Sequence, residues 1–106
     1  MDELPVSDVL TKYKMLIYRF INREISASEF ESRYLKMFKN ETEIFGEHVF
    51  DILEDLFTSA DGYVADPERR KELLAADPEL RKYGQGLDDD ELRADALKAY
   101  QQLFGG

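Results

Sequence analysis

The sequence has no cysteine. A disulfide scaffold and a zinc–thiolate centre are therefore excluded, and a reducing compartment is compatible with the chain. There is a single histidine, His48, so a nucleophile–base pair would have to be built on that one residue. No apolar run approaches the roughly 20 residues that span a bilayer. The opening Met1-Asp2-Glu3-Leu4-Pro5 has neither the basic n-region nor the apolar h-region of a secretory signal. A soluble, cytoplasmic protein with no membrane partner is the expectation. Gly62, Gly84 and Gly86 fit neither the dinucleotide nor the P-loop spacing. Positive charge is short in the second half: residues 46–106 hold fifteen acids and seven bases, whereas residues 1–45 hold eight and seven. An acidic half disfavours nucleic acid, whose affinity rests on Lys and Arg meeting phosphate. It favours fast, salt-sensitive association with a basic partner, although acidity that merely keeps a small protein soluble is the blander explanation.

What is present is apolar residues at helical spacing. The 106 residues are 43% hydrophobic, with seven Phe and six Tyr, enough for one helical domain over 1–106. Ser7 or Asp8 can cap a first helix to about Arg23, with Val9, Tyr13, Leu16, Ile17, Phe20 and Ile21 as its buried stripe and Lys12, Arg19 and Arg23 on an outer line. Ser26-Ala27-Ser28-Glu29 reads as a capping box. It opens a second helix to about Lys39, with Phe30, Tyr34, Leu35 and Phe38 inward. The segment from Asn40 to Gly46 breaks the pattern.

The stretch Glu47 to Asp61 then divides into two faces. Val49, Phe50, Ile52, Leu53, Leu56, Phe57 and Ala60 make a wide apolar side. Glu47, Asp51, Glu54, Asp55 and Asp61 share the remaining arc, because residues three and four apart are neighbours on a helix. Asp61-Gly62 should end this helix, glycine being suited to a left-handed C-cap. Asp66-Pro67-Glu68 and Asp77-Pro78-Glu79 are two further starts; the first leads a short helix to about Ala76 with Leu73 and Leu74 inward, the second a turn to Tyr83. Gly84-Gln85-Gly86 reads as a flexible loop. Asp88, with Glu91 at the third position, opens a last helix whose apolar side is Leu92, Ala96, Leu97, Ala99, Tyr100 and Leu103. The predicted fold is all-α: an antiparallel bundle of four main helices with a short extra helix between the third and fourth.

Catalytic and metal chemistry find little support. A calcium loop started at Asp61 places Glu72 correctly, but Tyr63, Ala65 and Asp66 stand where a ligand, a ligand and glycine belong. A di-iron bundle needs Glu-x-x-His, and Phe45 precedes His48 at that spacing. Carboxylate pairs such as Glu54 and Asp55 could serve as acid and base, yet five acids on an outer arc are more often a solvated face. No cofactor, no metal and no enzymatic activity are expected. Tyrosine beside carboxylates is a plausible protein-binding pattern: Tyr63, Tyr83 and Tyr13 are the candidates to be exposed or half buried, with closure of the core edge an equal alternative for Tyr63.

The segments Phe20-Ile21-Asn22-Arg23-Glu24-Ile25-Ser26-Ala27-Ser28-Glu29-Phe30-Glu31, Tyr34-Leu35-Lys36-Met37-Phe38-Lys39, Phe50-Asp51-Ile52-Leu53-Glu54-Asp55-Leu56-Phe57, Asp61-Gly62-Tyr63, Asp66-Pro67 and Asp90-Glu91-Leu92-Arg93 together resemble the colicin D-type immunity family, also called bacterial self-protective colicin-like immunity. The likeness covers roughly residues 10–104. It implies an immunity protein that binds and neutralises a cognate nuclease toxin, from a bacteriocin or a contact-dependent growth inhibition system. The target it implies is a tRNA-cleaving RNase whose basic cleft is covered by an acidic surface. Carried onto this chain, the toxin-binding residues implied are Asp51, Glu54, Asp55, Asp61 and Asp66, imitating phosphates, with Tyr63 as an anchor. A monomer, or a 1:1 heterodimer with the toxin, is the expected assembly. An acidic helical adaptor or regulator binding another basic protein is the alternative function.

Overall fold

Four short side chains set the beginnings of the helices. Ser26 Oγ accepts from the backbone N–H of Glu29 at 3.0 Å, Asp66 Oδ1 from Glu68 at 3.1 Å, Asp77 Oδ1 from Glu79 at 3.1 Å and Asp88 Oδ1 from Glu91 at 2.8 Å. Each satisfies a backbone donor that the first turn leaves without a partner. The computed structural model describes residues 4–41 and 46–105. Within it the chain forms α1 (Leu4–Ile21), α2 (Ala27–Lys39), α3 (Glu47–Asp61), α4 (Pro67–Ala76), a 3-10 helix (Pro78–Tyr83) and α5 (Asp89–Phe104). Among the described residues there is no strand, only one parallel bridge between Tyr63 and Leu87.

The helix ends depart from expectation in several places. α1 begins at Leu4 rather than behind a cap at Ser7 or Asp8, because Pro5 is tolerated in a first turn, where its missing N–H costs nothing. The side chains of Ser7, Asp8 and Val9 lie outside the described residues, as does most of the expected break at 42–45. α1 stops at Ile21, and Arg23 sits beyond it with φ 63°. The N–H groups of Arg23 and Glu24 reach back to the carbonyls of Phe20 and Arg19 at 3.0 and 2.8 Å, which is the Schellman pattern with arginine in the place usually held by glycine. Ser26 provides half of the expected capping box: the carboxylate of Glu29 pairs with Arg33 at 2.7 Å instead. Asp88 and Glu91 form the complete reciprocal box.

One core joins four of these helices. α1 packs on α2 and α5, and α3 packs on α2 and α5. Phe30, Tyr34 and Phe38 recur every four residues along α2 and stack in a row, with Phe20 of α1 on one end at 4.3 Å from Phe30 and Phe57 of α3 on the other at 5.1 Å from Phe38. The buried hydroxyl of Tyr34 donates to the carbonyl of Leu53 at 2.7 Å. On α5, Leu92, Ala96 and Ala99 are buried, while Arg93 lies over the ring of Phe20 and donates to its carbonyl at 3.2 Å, tying α5 to the end of α1. Periodicity overstates burial at two sites: Phe50 and Leu97 are exposed, since each lies at the margin of its helix's apolar face.

Gly62 joins this core to the excursion formed by α4 and the 3-10 helix. Its φ is −88°, not left-handed. Glycine is required there for space: a Cβ would stand 2.0 Å from the carbonyl oxygen of Gly84. The Gly62 carbonyl accepts from Gly86 and Leu87 at 2.8 and 3.0 Å, and Val64 donates to Leu87 at 3.0 Å. The segment Gly84-Gln85-Gly86 is thus a hydrogen-bonded clasp rather than a slack loop. Arg81 adds a two-pronged ion pair to Glu91. α4 buries no residue and packs on no helix except the 3-10 turn; Leu73 and Leu74 are half buried, and Leu74 rests on Gly86. Gly62→Ala is expected to cost about 1–3 kcal/mol, the range for forcing atoms into a filled site. The check is the urea midpoint, which an accommodated methyl group would leave unchanged.

Candidate functional site

α3 divides cleanly between its two environments. Ile52, Leu53, Leu56 and Ala60 are buried, and they point at the aromatic row of α2 and at α5. Glu47, Asp51, Glu54, Asp55 and Asp61 are all exposed. A helix turns about 100° per residue, so these five span roughly 120° on the side opposite the core, with Thr58 at the centre. Among the described residues none of Asp51, Glu54, Asp55 or Asp61 belongs to an ion pair. Residues 46–66 contain six acids and neither lysine nor arginine.

This charge opposes the stability of the free protein. Glu47 and Asp51, Asp51 and Glu54, and Asp51 and Asp55 are like-charged neighbours three or four apart, each pair unfavourable by about 0.2–0.5 kcal/mol. Asp61 occupies the last turn of α3, which has no basic residue, so a carboxylate stands at the negative end of the helix dipole. Glu31 of α2 is close enough to Asp61 to feel it: partial burial, then the Asp61 charge, push the Glu31 carboxyl above its ordinary value.

The remaining expected residues are placed differently. Asp66 is exposed and its side chain is occupied in capping α4. Tyr63 is not an exposed ring: only 7% is accessible, and Tyr13 is fully buried. Both close the core. The Tyr63 hydroxyl donates to Asp89 Oδ1 at 2.6 Å, and burial followed by that contact raises its pKa. Tyr13 instead donates at 3.0 Å to Glu41, which also pairs with Lys12 at 2.9 Å, so one cation of the outer line on α1 is spent on a nearly buried carboxylate. Of the three expected tyrosines Tyr83 is the exposed one, at 69%; Tyr18 of α1 is exposed as well. The excursion does not hide the α3 carboxylates; it borders them, since the Cβ direction of Gly84 points at the Thr58 methyl at 3.8 Å. Sequence spacing missed two further neighbours. Asp95 of α5 accepts from Ser59 at 2.7 Å and lines a groove beside Asp55 with Lys98 and Gln102. Asp89 and Glu31 both act on Tyr63, and Asp61 in turn acts on Glu31. Neither carries a local signal, because each depends on how α5 and α2 meet α3.

His48 is exposed at the start of α3. Among the described residues no group of three or more His, Asp or Glu could hold a metal ion, and no helix is long and apolar enough to cross a membrane.

Among the described residues the chain is all helical, with exposed carboxylates gathered on one face of α3. Residues 9–103 match the family described as bacterial self-protective colicin-like immunity, and the chain belongs to that family. Membership places it among toxin-neutralising immunity proteins, which act by binding a cognate toxin rather than by catalysis. No curated protein and no solved structure matches it.

Glu31→Gln is expected to raise the thermal midpoint at pH 7. A carboxyl whose folded pKa exceeds its unfolded value weakens the fold where it is ionised, and the penalty disappears below the unfolded value. The gain should therefore shrink as pH falls toward 4.5, the ordinary value for this group. Thermal melts across pH 4–8 measure it; a lower midpoint at pH 7 would contradict the repulsion.

Proposed function

We propose that this chain protects its cell by covering the basic substrate cleft of a cognate toxin nuclease, a tRNA-cleaving RNase, with the outer face of α3. The observation that carries this reading is the uncompensated set Asp51, Glu54, Asp55 and Asp61, all exposed and unpaired among the described residues. Self-repulsion that weakens the free protein is relieved when cations from a partner enter the arc. A nuclease that grips RNA is basic around its scissile phosphate, and opposite fields on the two surfaces accelerate encounter and fix orientation. Asp66 extends the face at its edge. Tyr63 contributes from behind, by closing the core and holding Asp89, rather than as an anchor.

In this reading the four core helices form an antiparallel bundle that keeps α3 rigid, the complex is 1:1, and protection operates in the cytoplasm, where a nuclease toxin would meet RNA. The toxin belongs to a bacteriocin or a contact-dependent growth inhibition system. No metal or cofactor takes part.

Co-expression with the toxin encoded beside this chain's gene should restore growth. Replacing Glu54, Asp55 and Asp61 together by lysine should abolish that rescue and slow association about tenfold or more at low salt, the lower end of what electrostatic steering supplies. Helicity should persist, as all three side chains face water. Rescue and association rates equal to wild type at low salt would exclude this face; binding without protection would favour an adaptor instead.

A further inference from the structure

The excursion 64–86 has no evident task in the core. α4 buries nothing, packs only on the 3-10 helix, and rests Leu74 on Gly86 of the glycine clasp. Yet the segment is firmly held. Gly62 accepts from Gly86 and Leu87, and Arg81 grips both Glu91 and the Gly86 carbonyl. Tyr83 closes the 3-10 helix, and Gly84 follows at φ 74°, its N–H bonded back to Arg81 and Leu80. A left-handed residue at this point fixes the chain direction. The geometry therefore fixes the backbone that carries Tyr83 while leaving its ring in water: it is the most exposed of the large hydrophobic residues, and among the described residues it has neither a hydrogen bond nor a ring partner.

Its position is informative. Gly84 lies against Thr58, and Thr58 is the centre of the α3 acidic arc, one turn from Glu54, Asp55 and Asp61. The backbone that carries this exposed ring thus runs beside the helix face that holds the unpaired carboxylates.

We infer that Tyr83 is an aromatic anchor at the rim of this face, packing on a lysine or arginine stem of the toxin nuclease while the α3 carboxylates engage the cleft. The inference rests on the toxin-binding reading above. The occupant follows from charge: side chains drawn to the arc are cationic, and a cation with its aliphatic stem packs well on a tyrosine face. The two sets of residues have separable kinetic signatures. Carboxylates at a distance govern encounter, whereas a ring acts only in contact and governs dissociation. Tyrosine is also among the residues enriched at binding hot spots.

The experiment is surface binding of the purified toxin domain encoded beside this chain's gene, with wild type, Tyr83→Ala, Tyr83→Phe and Tyr83→Lys, each checked for helicity and melting temperature. Tyr83→Ala is expected to dissociate about tenfold or more faster, with association within twofold of wild type, a change equal to about 1.4 kcal/mol or more. Tyr83→Phe should stay near wild type because the ring remains. Tyr83→Lys keeps a long side chain at the same site and sets a cation against a basic surface, so it should bind more weakly still. If wild type binds and both Tyr83→Ala and Tyr83→Lys dissociate at its rate, the anchor is overturned and the toxin-binding reading stands. Tyr83→Phe dissociating as fast as Tyr83→Ala would overturn the ring contact in favour of the hydroxyl. A wild type that does not bind the domain overturns both.

Discussion

The aromatic row of α2 is the constraint from which the rest follows. Phe30, Tyr34 and Phe38 face inward at a spacing of four, and Tyr34 adds a hydrogen bond to the carbonyl of Leu53 inside the core. That bond and the ring contacts of Phe57 and Phe50 with Phe38 set the rotation of α3 about its own axis. With Ile52, Leu53, Leu56 and Ala60 turned inward, the helix period leaves Glu47, Asp51, Glu54, Asp55 and Asp61 pointing out. The same packing that stabilises the fold thus aims the carboxylates. Burying each large apolar side chain contributes roughly 1.5–3 kcal/mol before entropy is subtracted, so a core of this kind can tolerate the few tenths per pair that the acidic arc costs.

Charge is divided by element as well as by half. α1 and α2 carry Lys12, Lys14, Arg19, Arg33, Lys36 and Lys39, of which Lys12 and Arg33 are paired with Glu41 and Glu29. From α3 to Asp66 there is no lysine or arginine. Nearby cations could have neutralised α3 at no cost to the core. Their absence from that helix, with Asp61 against the dipole and beside Glu31, is the physical reason for proposing the arc as a binding face.

Helix starts are legible in the sequence because they are local; contacts between distant segments are not. Ser26, Asp66, Asp77 and Asp88 announce helices through side chains that act within three residues, and all four do so in the structure. The split of α3 into two faces was legible for the same reason. Gly62 ends α3 as its residue type suggests, but what requires glycine there is its close approach to Gly84, a contact between segments 22 residues apart. The burial of Tyr63, for which spacing leaves an exposed ring and a closed core edge equally open, has the same origin: it depends on where residues 64–87 fold back, and no spacing rule records that. Phe50 and Leu97 show the limit of periodicity, which locates a face but not its edge. The family likeness supplied what none of these patterns holds, the kind of partner.

The most direct test of the account is carboxyl-selective labelling of the chain alone and in complex with its toxin domain, read residue by residue by mass spectrometry. Asp51, Glu54, Asp55 and Asp61 should lose reactivity in the complex, while Glu29 on α2 keeps its own. Unchanged labelling of the α3 carboxylates, with protection appearing on α1 and α2 instead, would contradict it.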